Sequence, residues 1–115
     1  MEAGQNFTVE ITPEAEGYFL QAAEYLYTTH TPKQAAIKSE ALLEMAMSLY
    51  RLPKRGSVED KLAFLNEEHR YLVYRVTSRK TIKIIYFIDE AAGKVYITDF
   101  FGTEMDDDRI TDRNL

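Results

Sequence analysis

The chain of 115 residues has no cysteine and no tryptophan, and only 3 prolines, 5 glycines and 2 histidines. Without thiols it can form neither disulfides nor thiolate metal sites, which fits a reducing compartment. No run of about 18 apolar residues occurs, so no segment reads as a membrane-spanning helix. The opening MEAGQNFTVE lacks the basic flank and apolar stretch of a signal peptide, and a cytoplasmic location is expected. Positive charge is also scarce: 14 Lys and Arg against 19 Asp and Glu leave a net −5. That balance argues against broad or direct specific DNA binding, because phosphate contacts need concentrated cations.

Catalytic signatures are missing too. There is no Walker loop, no G-x-S-x-G and no spaced set of His or Cys. His30 and His69 both read as surface loop residues. The run Asp106–Asp108 could attract a divalent ion, but consecutive carboxylates lack the loop geometry of a calcium site. It reads instead as part of a solvated acidic tail from about residue 104. No metal and no cofactor are expected.

What is present is a single domain, residues 1–115, of ordinary globular composition: 45% hydrophobic and 29% charged. Its organising stretch is Arg70 to Thr103, with three runs rich in Val, Ile, Tyr and Phe. These are Tyr71–Val76, Ile82–Ile88 and Val95–Phe101, joined by TSRK and DEAAGK. Connections this short join antiparallel neighbours, so a three-stranded meander is predicted.

Upstream, Phe7, Val9 and Ile11 alternate with polar residues as a short strand does. Thr12-Pro13 and Thr31-Pro32 are paired helix starts, a capping hydroxyl followed by a proline whose missing N–H is harmless there. The first helix carries Ala15, Phe19, Ala22, Ala23 and Leu26 on one face. The second carries Ala35, Leu42, Met45, Ala46 and Leu49, and Pro53 ends it. The fold class is therefore α+β: an N-terminal strand, an α-helical hairpin and a meander covered on one face by that hairpin.

Residues 58–68 read as a loop with at most a turn of helix, although Leu62, Phe64 and Leu65 must bury something. In the meander, Lys83 prefers water, so Ile82, Ile84, Tyr86 and Ile88 are assigned to the helix side. Leu72, Tyr74 and Val76, then Val95 and Ile97, join them. Tyr96, Thr98 and Phe100 are assigned to the opposite face, as are Tyr71, Val73, Arg75, Ile85 and Phe87. Five cations without an intervening acid, Arg70, Arg75, Arg79, Lys80 and Lys83, lie along this stretch. With Tyr71, Phe87 and Tyr96 they form the one candidate partner-binding face, aromatic and basic together.

Several segments resemble the RelE/ParE superfamily of bacterial toxin–antitoxin toxins, on its ParE-like, plasmid-stabilisation side. They are ITPEAEGYFLQAAEYL, the LPKRG loop, HRYLV, IKIIYFID and VYITDFFGT, in that order from Phe7 to about Ile110. The resemblance implies a cognate antitoxin partner, with which the toxin can form an oligomer. It also implies one of two targets. RelE-like members cut messenger RNA on the ribosome, whereas ParE-like members bind DNA gyrase and are not enzymes. By position, Lys83 falls where RelE-like proteins place a phosphate-stabilising cation. Arg70 matches the arginine that enters the meander, and Tyr86 the strand tyrosine. Lys83 and Arg70 are thus the candidate catalytic residues if the chain is a ribosome-dependent endoribonuclease.

The departures point the other way. Where relatives end the last strand with a D-T-R-like segment, this chain has Gly102-Thr103-Glu104, and no tyrosine follows. An acid opposes the charge that develops on a phosphate transition state. The expectation is therefore a ParE-like toxin that acts by binding gyrase, with RNA cleavage and a degenerate toxin that retains only antitoxin binding as the alternatives.

Overall fold

The computed structural model describes residues 6–103 and 108–115. Both helix starts form as the sequence dictates. Thr12 caps α1 (Pro13–Thr29) by accepting from the Ala15 N–H at 3.1 Å, and Thr31 caps α2 (Pro32–Met47) by accepting from the Gln34 N–H at 3.2 Å. Only His30 and Thr31 separate the helices, so they return side by side.

The strands are β1 (Thr8–Ile11), β2 (Ser57–Val58), β3 (His69–Arg75), β4 (Thr81–Asp89) and β5 (Lys94–Gly102), followed by a short α3 (Asp108–Asp112). They form one five-stranded sheet in the order β1-β5-β4-β3-β2. β1 runs parallel to β5, and the other neighbours are antiparallel. The predicted meander is thus extended at both sides, and β2 is an element that sequence periodicity did not reveal.

The helix-side core follows the predicted parity. Ile82, Ile84, Tyr86, Val95 and Ile97 pack against Ala15, Leu26, Ala35, Leu42, Ala46 and Leu49. Tyr86 also pins the segment after α2. Its hydroxyl donates to the Pro53 carbonyl at 2.5 Å and accepts from the Gly56 N–H at 3.1 Å. Burial pushes this phenol's pKa up, so it remains a donor. Gly56 is required here, because a Cβ would collide with the Tyr86 hydroxyl and lie 2.7 Å from the Tyr71 carbonyl.

Several expectations are corrected. Phe100, assigned by strict alternation to the outer face, lies in the helix-side core and meets Phe19 edge-to-face at 5.3 Å. The cause is a bulge: Ile85 pairs with Asp99 but Tyr86 pairs with Ile97, which leaves Thr98 as the extra residue. Each residue after Thr98 therefore points to the face opposite the one that alternation predicts. Phe101 consequently turns to the far side.

That far side is not open. Leu62, from a 3-10 turn over Asp60–Leu62, and Ile110, from α3, bury Ile85 and Phe101 in a second core flanked by Leu65 and Tyr71. The sheet is covered on both faces, not one, because β4 is apolar on both. Phe64 does not share in this burial and is 52% exposed. The solvated-tail expectation fails from Asp108 onward, where the chain folds back; residues 104–107 lie outside the described residues. His69 is not a loop residue either: it sits in β3, is buried, and its Nδ1 lies 2.9 Å from the Glu67 carbonyl.

Ile84→Ala is expected to destabilise the protein by about 2–5 kcal/mol, since the site is fully enclosed. Phe64→Ala should shift stability by no more than about 0.5 kcal/mol. Urea unfolding of the two variants checks both values, and equal effects would contradict this assignment of faces.

Candidate partner-binding surface

The five predicted cations do not form one free patch. Arg70 faces Tyr86 across the β3–β4 ladder and works on the same turn. Its Nη1 donates to the Gly56 carbonyl at 2.8 Å and the Lys54 carbonyl at 3.1 Å, while Nη2 meets Glu68 at 3.0 Å. Lys83 lies under the second core. Its ammonium is 2.8 Å from Glu59 Oε2 and 4.3 Å from the centre of the Tyr71 ring. Glu59 is buried and Lys83 nearly so, which makes this an interior ion pair with little water around it. Lys80, at the β3–β4 turn, reaches back to the Tyr25 hydroxyl on α1.

Arg75 and Arg79 are the two that remain on the surface. Both are exposed, and neither has a carboxylate within ion-pair distance among the described residues. Arg75 makes one long contact, 3.4 Å from Nη1 to the Ser78 carbonyl.

The aromatic members separate in the same way. Tyr71 belongs to the rim of the second core. Phe87 and Tyr96 stack at 5.2 Å, and Phe87 also meets His69 at 5.2 Å. Ladder pairing explains this row, since Tyr96, Phe87 and His69 are successive cross-strand neighbours on one face.

Two features escaped sequence reasoning. The first is a largely apolar cleft of about 180 Å³ between α1 and the β3–β4 turn, with Tyr18, Ala22, Val76, Ile82 and Phe100 among its walls and Lys80 and Arg113 at its margin. The spacing of Tyr18, Ala22 and Tyr25 on α1 was a readable signal for it. The second is the buried carboxylate of Asp99. Its Oδ1 receives Arg113 Nη1 at 2.5 Å, and the same guanidinium lies over the Tyr18 and Phe101 rings at 4.0 and 5.1 Å. Oδ2 is buried with no hydrogen-bond partner among the described residues. Desolvation therefore outweighs the attraction of Arg113 and raises the Asp99 pKa from 3.8 to about 6.

What this side of the molecule presents is two exposed arginines, an apolar cleft and a stacked aromatic row. Among the described residues no group of three His, Asp or Glu could hold a metal ion, and no helix is long and apolar enough to cross a membrane. Glu104, the acid in place of the expected arginine, lies outside the described residues.

No protein-family model matches the chain, and no curated protein does. Solved structures do. A chain of the chromosomal ParDE toxin–antitoxin system from P. aeruginosa aligns with a TM-score of 0.63 at 11% identity, covering 85% of this chain and 97% of that one. A chain of the RelBE2 toxin–antitoxin complex from Mycobacterium tuberculosis aligns with a TM-score of 0.52 at 20% identity, covering 87% and 94%. At such identities the likeness establishes the fold, and that fold is RelE/ParE-like.

Removing one member of the interior ion pair leaves the other charge buried alone. Lys83→Met should therefore cost about 3–5 kcal/mol, while the double variant Glu59→Leu/Lys83→Met should recover most of that loss. Chemical denaturation of the set measures it; a harmless single variant would show that the pair is hydrated.

Asp99 makes an opposite, pH-dependent contribution. Its folded pKa lies above its unfolded one, so its contribution is full below about pH 4 and is lost as pH rises through about 6. A shift of this size corresponds to about 3 kcal/mol. The stability of the native chain minus that of Asp99→Asn should fall by roughly that amount between pH 4 and 7. A flat difference would mean that Asp99 is not desolvated.

Proposed function

We propose that this chain is the toxin of a type II toxin–antitoxin module and that it acts in the ParE-like manner, by binding DNA gyrase rather than by cutting RNA. The interior pairing of Lys83 with Glu59 carries this reading. Cleavage of a phosphodiester needs cations preorganised around the scissile group. The ammonium at the position the family resemblance assigns to that task is held by a buried carboxylate. Arg70, the other candidate, is spent on the Lys54 and Gly56 carbonyls and Glu68. Neither can reach a phosphate without dismantling the loop that it supports. Binding requires no such constellation, and the exposed Arg75 and Arg79 remain available for it.

The antitoxin partner is supported by the company the fold keeps, since the two solved structures compared above are of toxin–antitoxin systems. A short acidic segment suits this surface, with an apolar side chain in the cleft beside Lys80 and Arg113. Action in the cytoplasm follows from either target.

Two assays on purified protein test the reading. Gyrase-catalysed supercoiling should be blocked, with the block weakening as salt rises. Messenger RNA on translating ribosomes should stay intact. Codon-linked cleavage would replace the binding mechanism with the RelE-like one. Inactivity in both assays, with retained binding to the product of a neighbouring antitoxin gene, would identify a degenerate toxin.

A further inference from the structure

Arg113 satisfies Asp99 only in part. Its Nη1 takes Oδ1, while the guanidinium lies over the Tyr18 and Phe101 rings at 4.0 and 5.1 Å. Oδ2 has no donor among the described residues, although the side chain is only 2% exposed. A buried carboxylate normally collects donors on both oxygens, so an orphan acceptor at this depth calls for a further donor.

Asp99 also lines a cavity of about 300 Å³ between the start of α1 and the residues that follow α3. Tyr18 and Arg113, Asn114 and Leu115, and Glu14 from the first turn of α1 share that lining. Glu14 is exposed and pairs with no cation among the described residues. Two carboxylates thus meet one guanidinium, and Oδ1 of Asp99 already engages it.

This balance selects a cation, and the orphan oxygen selects one that carries N–H groups. A divalent metal fits poorly, because hard cations want six or more oxygens and no group of three His, Asp or Glu lies together among the described residues. A second guanidinium would compete for the Tyr18 face that Arg113 covers. A primary ammonium is compact and directs three donors from one centre.

We propose that this cavity is a binding site for a small alkyl diammonium, with one ammonium donating to Asp99 Oδ2 and the other facing Glu14. A concave site of this size suits a free small molecule. Oδ2 is closed to solvent, so entry requires Asn114 and Leu115 to move aside. Leu115 is 88% exposed, and the hydrogen bonds of Asn114, to the Thr111 and Ile110 carbonyls, stay within its own turn. The site does not depend on the function proposed above.

Binding of this kind is linked to protons. Desolvation holds the Asp99 pKa up at about 6, and a donor on Oδ2 favours the ionised form and draws it back down. Glu14 and Tyr18 of α1 and Arg113 beyond α3 are the other charged or titratable groups of the lining. The amine itself stays protonated throughout. Affinity should therefore fall roughly tenfold as pH drops from about 7 to about 5.

NMR of the full chain tests the site, with 1,4-diaminobutane as the probe at constant ionic strength. The Asp99 carboxyl signal should move on titration, and its midpoint should drop by about one pH unit at saturation, a tenfold preference for the ionised form. Tetramethylammonium, cationic but without N–H groups, should leave the signal in place. Asp99→Asn should abolish the response of the Tyr18 and Thr98 amides while the melt is retained. If that variant fails to fold, Glu14→Gln, at an exposed position, should weaken the diamine and leave butylamine unaffected.

An Asp99 signal unmoved by millimolar diamine would overturn the proposal. So would an equal response to tetramethylammonium, or an affinity that is flat between pH 5 and 7. Tighter binding of a capped lysine than of the diamine would overturn the assignment to a free diammonium and pass the site to a protein side chain.

Discussion

β4 is apolar on both faces, and most of the molecule exists to satisfy it. Ile82, Ile84 and Tyr86 need the helical hairpin; Ile85, together with Phe101 of β5, needs something on the other side. That requirement draws in the 3-10 turn at Asp60–Leu62 and α3, and it turns a sheet that could have remained half wet into one covered twice. The bulge at Thr98 serves the same constraint. It lets β5 send Val95, Ile97 and Phe100 to one core and Phe101 to the other.

Covering the second face desolvates polar groups that a one-sided sheet would have left in water. Lys83 and Asp99 both lie beneath the added layer, and each is matched by a charge from the covering segments, Glu59 from the 57–68 stretch and Arg113 from beyond α3. The pairs join those segments to the sheet alongside the contacts of Leu62 and Ile110. The matches are unequal. Glu59 offers Lys83 an acceptor and also caps its own turn through the Lys61 N–H at 3.2 Å, whereas Asp99 keeps one oxygen without a partner among the described residues. Asp99 is accordingly the group whose charged form fits the fold least well.

The same internal pairing shapes what the outside can do. Three of five clustered cations are turned to structural work, and Arg75 and Arg79 stay exposed near the β3–β4 turn. Exposed charge and the apolar cleft lie around the β3–β4 turn, while the middle of the outer face is closed by the second core.

The helical hairpin, the meander and the helix-side core were legible in the sequence because each rests on local signals. Those signals are two Thr-Pro starts, helical and twofold apolar spacing, and connections too short for a crossover. The RelE/ParE-like fold came from the resemblance of its ordered segments to a known family, and the solved structures agree with that fold. The candidate site was read as a set of residue types on one strand parity, and there the sequence went only part of the way. Lys83 looked exposed because a lysine prefers water, and nothing local shows that Glu59 will arrive from elsewhere in the chain to replace it. Phe100 looked outward because alternation has no memory of a bulge, which belongs to the pairing of two strands and not to either one. β2, the second core and the fate of the C-terminal residues all depend on contacts between segments far apart in sequence. Local periodicity determined which elements form and which faces are apolar. Only tertiary structure decided which charges are buried, because desolvation is a property of what lies on top of a side chain.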